Sequence, residues 1–109
     1  MELRTLTAYN NANNIDFGDI IVIFKFGGDW CAPCKKLDEI INDTPGTLLY
    51  NISVDNEEFE SYLIENDIYS IPHCFLKYKK EIVQFKGDIS KDELLQLCSS
   101  IRKENITEK

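Results

Sequence analysis

Two cysteines held two residues apart, Cys31-Ala32-Pro33-Cys34, carry the clearest chemical signal in the sequence. Thiols at this spacing can close an intramolecular disulfide across one helical turn, so one sulfur can attack a foreign disulfide and the other can release it. The pair follows an apolar strand-like run and opens an amphipathic helix-like segment. At a helix N-terminus the unpaired backbone N–H groups and the macrodipole favour an anion, which pushes the first cysteine toward thiolate. Cys31 is the expected nucleophile and Cys34 the expected resolving thiol. Pro33 gives up no hydrogen bond in a first helical turn and restricts the loop, holding the sulfurs near bonding geometry.

The same four residues are half of a zinc site. A structural zinc ion needs four ligands, and the other candidates are His73, Cys74 and Cys98. Neighbouring residues on a strand point to opposite faces, so His73 and Cys74 do not both join one site from a regular strand. Redox chemistry without a metal or other cofactor is therefore the expectation.

The elements that must position the pair are legible in the apolar pattern. Ile20 to Phe26 is β-branched and aromatic without strict alternation, as a central strand covered on both faces should be, and it stops at Gly27-Gly28. Leu37, Ile40 and Ile41 mark the inner side of a helix closed by Thr44-Pro45-Gly46. Leu48 to Val54 reads as the next strand. Asp55 with Glu58 resembles a capping box for a helix with inner residues Phe59, Tyr62 and Leu63 and an acidic, solvated outer face at Glu57, Glu58 and Glu60. Phe75 to Tyr78 and Ile82 to Phe85, joined by Lys79-Lys80-Glu81, form an antiparallel hairpin. Ser90 caps a last helix whose stripe is Leu94, Leu97, Cys98 and Ile101. At the start, Leu3 to Leu6 reads as an edge strand, and Asn10 to Asn14 favours turns with room only for a short helix. The sum is an α/β sandwich with a mixed sheet, one domain over residues 1–109 with a polar tail from Lys103 to Lys109.

At 109 residues and 12.6 kDa the chain has room for one core, and its 43% hydrophobic content argues against disorder. A net charge of −7 opposes a phosphate backbone, which argues against a general nucleic-acid or anionic-membrane binder. The apolar run ending at Phe26 is interrupted by Lys25 and is far shorter than the roughly 20 residues of a membrane helix. The N-terminus has no basic region followed by a long apolar stretch, so a cytoplasmic, reducing compartment is expected and the four cysteines are not read as a secreted disulfide framework.

The residues Trp30-Cys31-Ala32-Pro33-Cys34-Lys35 resemble the active-site signature of thioredoxins, which commonly has Gly where Ala32 stands. Ile71-Pro72 is similar to the family's cis-proline position, Asp55 to the acidic end of its third strand, and Lys86-Gly87-Asp88 with Ser90-Lys91 to its late glycine and final helix start. The resemblance covers nearly the whole chain. It implies a thioredoxin fold, with a central mixed β-sheet flanked by helices on both faces. It also implies a dithiol–disulfide oxidoreductase that reduces protein disulfides as a monomer and is recharged by a separate reductase. Trp30 would flank the site, and Pro72 would bring backbone beside the sulfurs for an extended substrate peptide.

Three departures stand out. Where the family usually has a buried Asp on the central strand, this chain has Lys25, and the lysine that often partners it falls on Asn51. A charged Lys25 would stabilise thiolates and make the disulfide more oxidising. A desolvated, neutral Lys25 could accept the proton of Cys34, and a snorkelling Lys25 would do neither. His73 stands where Thr commonly follows the cis-proline, and is read either as tuning the thiolate or as a satisfied packing residue. Gly27-Gly28 should loosen the approach to the site. Cys74 and Cys98 read as small buried hydrophobes. The competing functions are a more oxidising isomerase or oxidase and a redox-inactive adaptor subunit.

Overall fold

The apolar run that precedes the cysteines forms β1 (Ile21–Gly27), a strand buried along its whole length in the computed structural model, which describes residues 1–87 and 89–107, with side chains to Lys103. Around it the chain builds α1 (Leu6–Asn13), α2 (Ala32–Asn42), β2 (Thr47–Ser53), a 3-10 turn (Glu57–Phe59), α3 (Glu60–Glu65), β3 (His73–Tyr78), β4 (Glu81–Lys86) and α4 (Lys91–Thr107). The sheet order is β2-β1-β3-β4, with β2 parallel to β1 and the other pairs antiparallel.

Helices cover both faces, as β1 requires. On one, Ile21, Ile23 and Leu76 pack against Leu37 and Ile41 of α2 and Leu94, Cys98 and Ile101 of α4. On the other, Val22, Phe24 and Phe26 pack against Tyr9 and Ala12 of α1 and Phe59. The register sets Gly27 opposite Ser53 and Phe26 opposite His73. The loops leaving β1 and β2 and the loop entering β3 therefore meet at one end of the sheet. The Ile71–Pro72 peptide bond is cis, and the Pro72 carbonyl accepts the Gly87 N–H at 2.8 Å.

Several boundaries differ from the sequence reading for local reasons. The expected edge strand at Leu3 to Leu6 is only a bridge, with Asn51 N–H donating to Met1 O at 2.7 Å and Leu3 N–H to Asn51 O at 2.9 Å. Thr5 ends it, because its hydroxyl accepts the Ala8 N–H at 3.0 Å and starts α1. The asparagines of α1 are carried into helix by the burial of Tyr9 and Ala12, an instance of packing overriding propensity. Asp55 is not the cap it resembled: Asn56 caps the 3-10 turn, its Oδ1 accepting the Glu58 N–H at 3.0 Å. Ser90 and Glu93 do form a reciprocal capping box, at 3.1 and 3.0 Å. Helical backbone continues through Thr107, into the segment read as a polar tail. Asp88 and residues 108–109 lie outside the described residues.

Candidate active site

Cys31 is the N-cap of α2, and its Sγ accepts the Cys34 N–H at 3.2 Å. This satisfies one orphan donor of the helix and aims its positive end at the sulfur. Ala32 and Pro33 fill the first turn, Pro33 where no N–H is missed. The sulfurs of Cys31 and Cys34 are joined as a disulfide over a Cα separation of 5.3 Å. Cys34 is only 1% exposed and Cys31 only 5%, whereas Ala32, Pro33 and Lys35 face solvent. Both cysteines are buried, Cys34 the more completely.

Trp30 flanks the pair, 67% exposed, and its indole N–H donates to Asp55 at 2.7 Å. This is the role Asp55 has in place of capping. The glycines do not loosen this region as expected. A Cβ on Gly27 would lie 2.9 Å from Cys34 Sγ, and one on Gly28 would lie 2.8 Å from the Trp30 ring nitrogen. Both are glycine because sulfur and indole press against backbone. Pro72 is buried and Ile71 half-buried at the same end of the sheet.

Lys25 is 3% exposed and does not snorkel. Its ammonium donates to the Cys34 carbonyl at 3.0 Å and to the Asp38 carboxylate. Both of these partners are acceptors, so the contacts are those of an ion-pair donor. Asp38 was missed in the sequence, where it looked like part of a solvated face. The available signal was its spacing of four from Cys34, which puts both on one side of α2.

His73 sits on the opposite sheet face from Lys25 and α2. Its ring stacks on Phe75 at 5.1 Å, and Nε2 donates to Gln84 Oε1 at 2.9 Å, while the buried Nδ1 has no partner among the described residues. These are the contacts of a packing residue. Cys74 and Cys98 are free and buried, and burial pushes both thiols up. Cys74 stands opposite Lys25 in the β1–β3 register. Among the described residues no cluster of three or more His, Cys, Asp or Glu side chains is placed to hold a metal ion.

Residues 2–100 match the family model described as Thioredoxin. Curated relatives include a thioredoxin-like protein of Acanthamoeba polyphaga mimivirus, 30% identical over 89 residues, which cover 77% of this chain and 64% of that protein. A thioredoxin of Chlamydia trachomatis is 28% identical over 104 residues, 89% of this chain and 96% of its own. The chain thus spans slightly less than two thirds of the viral relative and nearly all of the bacterial one. Among solved structures, a mutant thioredoxin from Halobacterium salinarum superposes with a TM-score of 0.73 at 21% identity, over 92% of this chain and 88% of that one. That likeness establishes the fold.

Proposed function

The chain belongs to the thioredoxin family, and from that premise we propose that it is a thiol–disulfide oxidoreductase that reduces protein disulfides. The observation carrying this reading is the placement of Cys31 as the helix cap and disulfide partner of Cys34. In the reduced protein the Cys31 thiolate attacks a substrate disulfide, forming a mixed disulfide and expelling the first substrate thiolate. Cys34, as thiolate, then attacks Cys31 Sγ. The Cys31–Cys34 bond forms, the bond to substrate breaks, and the second substrate sulfur leaves with its electron pair, so the substrate gains the two electrons that the dithiol loses.

The oxidising alternative rested on an uncompensated charge at Lys25. Its ion pair with Asp38 offsets that charge, which favours the reducing end of the range. The proposed setting is the cytoplasm, with a separate reductase returning electrons and the protein acting as a monomer on extended peptide segments beside Trp30 and Pro72. Its charge of −7 supports protein substrates over nucleic acid.

Insulin reduction with dithiothreitol tests the activity: the wild type should outrun a Cys31→Ser control, and parity between them sinks the enzyme reading. The Cys31–Cys34 potential tests the direction. A value near about −270 mV is expected, whereas about −180 to −120 mV would indicate isomerisation or oxidation.

A further inference from the structure

We propose that Asp38 accepts the proton of Cys34 during the resolving step, held in place by Lys25, with the cavity behind the cysteine pair as the proton's way to solvent. The inference rests on the dithiol reading above and adds a residue to it.

Cys34 must become a thiolate to attack, yet it is 1% exposed. Bulk water therefore has almost no direct access to it. Behind it lies a cavity of about 350 Å³ whose walls include Cys34, Lys25, Asp38 and Gly27, with Glu2 and Asp29 also lining it. Gly27 supplies no side chain between the sulfur and the Lys25 stem: a Cβ there would be 2.9 Å from Cys34 Sγ and 3.6 Å from Lys25 Cε. Lys25 Nζ bridges the Cys34 carbonyl and the Asp38 carboxylate. Cys34 and Asp38 thus line one cavity and share one positioning residue.

Charge conservation favours the transfer. Before it, the cluster holds an ammonium, a carboxylate and a thiol, with no net charge. Afterwards it holds an ammonium, a carboxylic acid and a thiolate, again with no net charge. A buried thiol losing its proton alone would create an uncompensated charge, which low-dielectric surroundings penalise. Here the charge only moves. The proton passes from Cys34 Sγ to the Asp38 carboxylate, directly or through water in the cavity. The Cys34 thiolate then attacks Cys31 Sγ, the substrate thiolate leaves, and Asp38 returns its proton through the cavity. The other titratable groups facing the pair are Cys74 on β3 and, around the cavity, Glu2, Asp29, Lys35 and the Met1 amine. Cys74 is kept protonated by burial and does not compete as a base.

The test uses 5,5′-dithiobis(2-nitrobenzoate) as the disulfide. Its first coloured thiolate reports attack by Cys31 and its second reports resolution by Cys34. Asp38→Asn should slow the second release about 100-fold near neutral pH, leave the first within about twofold, and make the second rise about tenfold per pH unit. The slowing is diagnostic because Asn leaves Lys25 uncompensated, which by itself favours the thiolate. Asp38→Glu should recover part of the rate and flatten the profile. A Lys25→Met, Asp38→Leu double variant, which replaces the ion pair by apolar volume, should show the same steep profile if Asp38→Asn folds poorly. A second release slowed equally at every pH, unchanged in Asp38→Asn, or of wild-type profile in the double variant overturns the proposal. If the wild type's first release is no faster than that of Cys31→Ser, it is the dithiol reading that fails.

Discussion

The two faces of the sheet are packed by different chemistry. Beneath α1 and α3, Tyr9 meets Phe24 and Phe59 edge to face at 5.2 and 6.2 Å, Phe26 stacks on Tyr62 at 5.8 Å, and the Tyr9 and Tyr62 hydroxyls share a 2.7 Å hydrogen bond. Beneath α2 and α4, aliphatic side chains surround two free thiols, and at one end of that face the ammonium of Lys25 meets Asp38. On the aromatic face Tyr9 is pushed up by burial and by the Tyr62 hydroxyl, and the His73 ring is buried, stacked on Phe75 and bonded to Gln84. The free thiols and the Lys25–Asp38 ion pair lie on the aliphatic face, beneath the helix that carries the cysteine pair. The sheet therefore separates what holds the fold from what reacts, and the separation can be measured by asking whether a substitution weakens the oxidised and reduced forms equally.

Phe26→Ala should give the largest effect, a loss of about 3–5 kcal/mol of stability from lost burial and the cavity left behind. Chemical unfolding of both redox forms should show the same loss, with an unchanged Cys31–Cys34 potential. A potential that moves would join the two faces energetically and break the comparison.

Gly27→Ala comes next and should behave in the opposite way. The new methyl meets Cys34 Sγ, and overpacking of this kind costs about 1–3 kcal/mol. In the dithiol the sulfur can rotate aside, but in the disulfide it is fixed, so the oxidised form should lose more. Each 1.4 kcal/mol of that difference raises the potential by about 30 mV. Equal losses in the two forms would mean that the glycine serves the fold alone.

How far the sequence foretold this division differs from residue to residue. Cys31-Ala32-Pro33-Cys34, the central strand and the Ser90 cap were legible because each is a local pattern: a spacing, a hydrophobic run, a side chain near its own backbone. Asp38 was not, because its partner Lys25 is distant along the chain and a charge on an amphipathic helix ordinarily faces water. The first helix was underestimated because asparagine propensity is local while the burial of Tyr9 against Phe24 is tertiary. The glycines before Trp30 were read as freedom, when their smallness admits a sulfur and an indole. Strand alternation put His73 and Cys74 on opposite faces, but only the structure showed which face carried the cysteine pair.

Cys74 offers a third, pH-dependent contrast. Burial raises its thiol above the ordinary range in the fold, while in the unfolded chain it titrates near about 8.5. Its full contribution to stability is present below that pH and is lost as pH rises, because only the unfolded state then releases the proton. By pH 10 the loss is about 2 kcal/mol. Cys74→Ala should remove this share of the alkaline slope in denaturant unfolding, leaving the share of Cys98. An unaltered slope would show that Cys74 ionises in the native state.

The smallest effect belongs to an aromatic residue outside both cores. Trp30 is held by one hydrogen bond to Asp55 and by the bare backbone of Gly28, whereas Phe26 is held by packing on every side. Both Trp30 and Asp55 are exposed, so water replaces the bond readily and Asp55→Ala should cost under about 1 kcal/mol in either redox form. What changes is the order of the ring. Trp30 is the single tryptophan of the chain, so its fluorescence anisotropy should fall and its quenching by acrylamide should rise in Asp55→Ala. Gly28→Ala, which pushes a methyl into the indole, should produce the same change by a different route. Disulfide reduction should then weaken through a higher KM with kcat nearly unchanged, because a disordered ring presents a poorer surface while the dithiol chemistry behind it is intact. A fall in kcat with unchanged KM would instead place Trp30 in the reactive machinery.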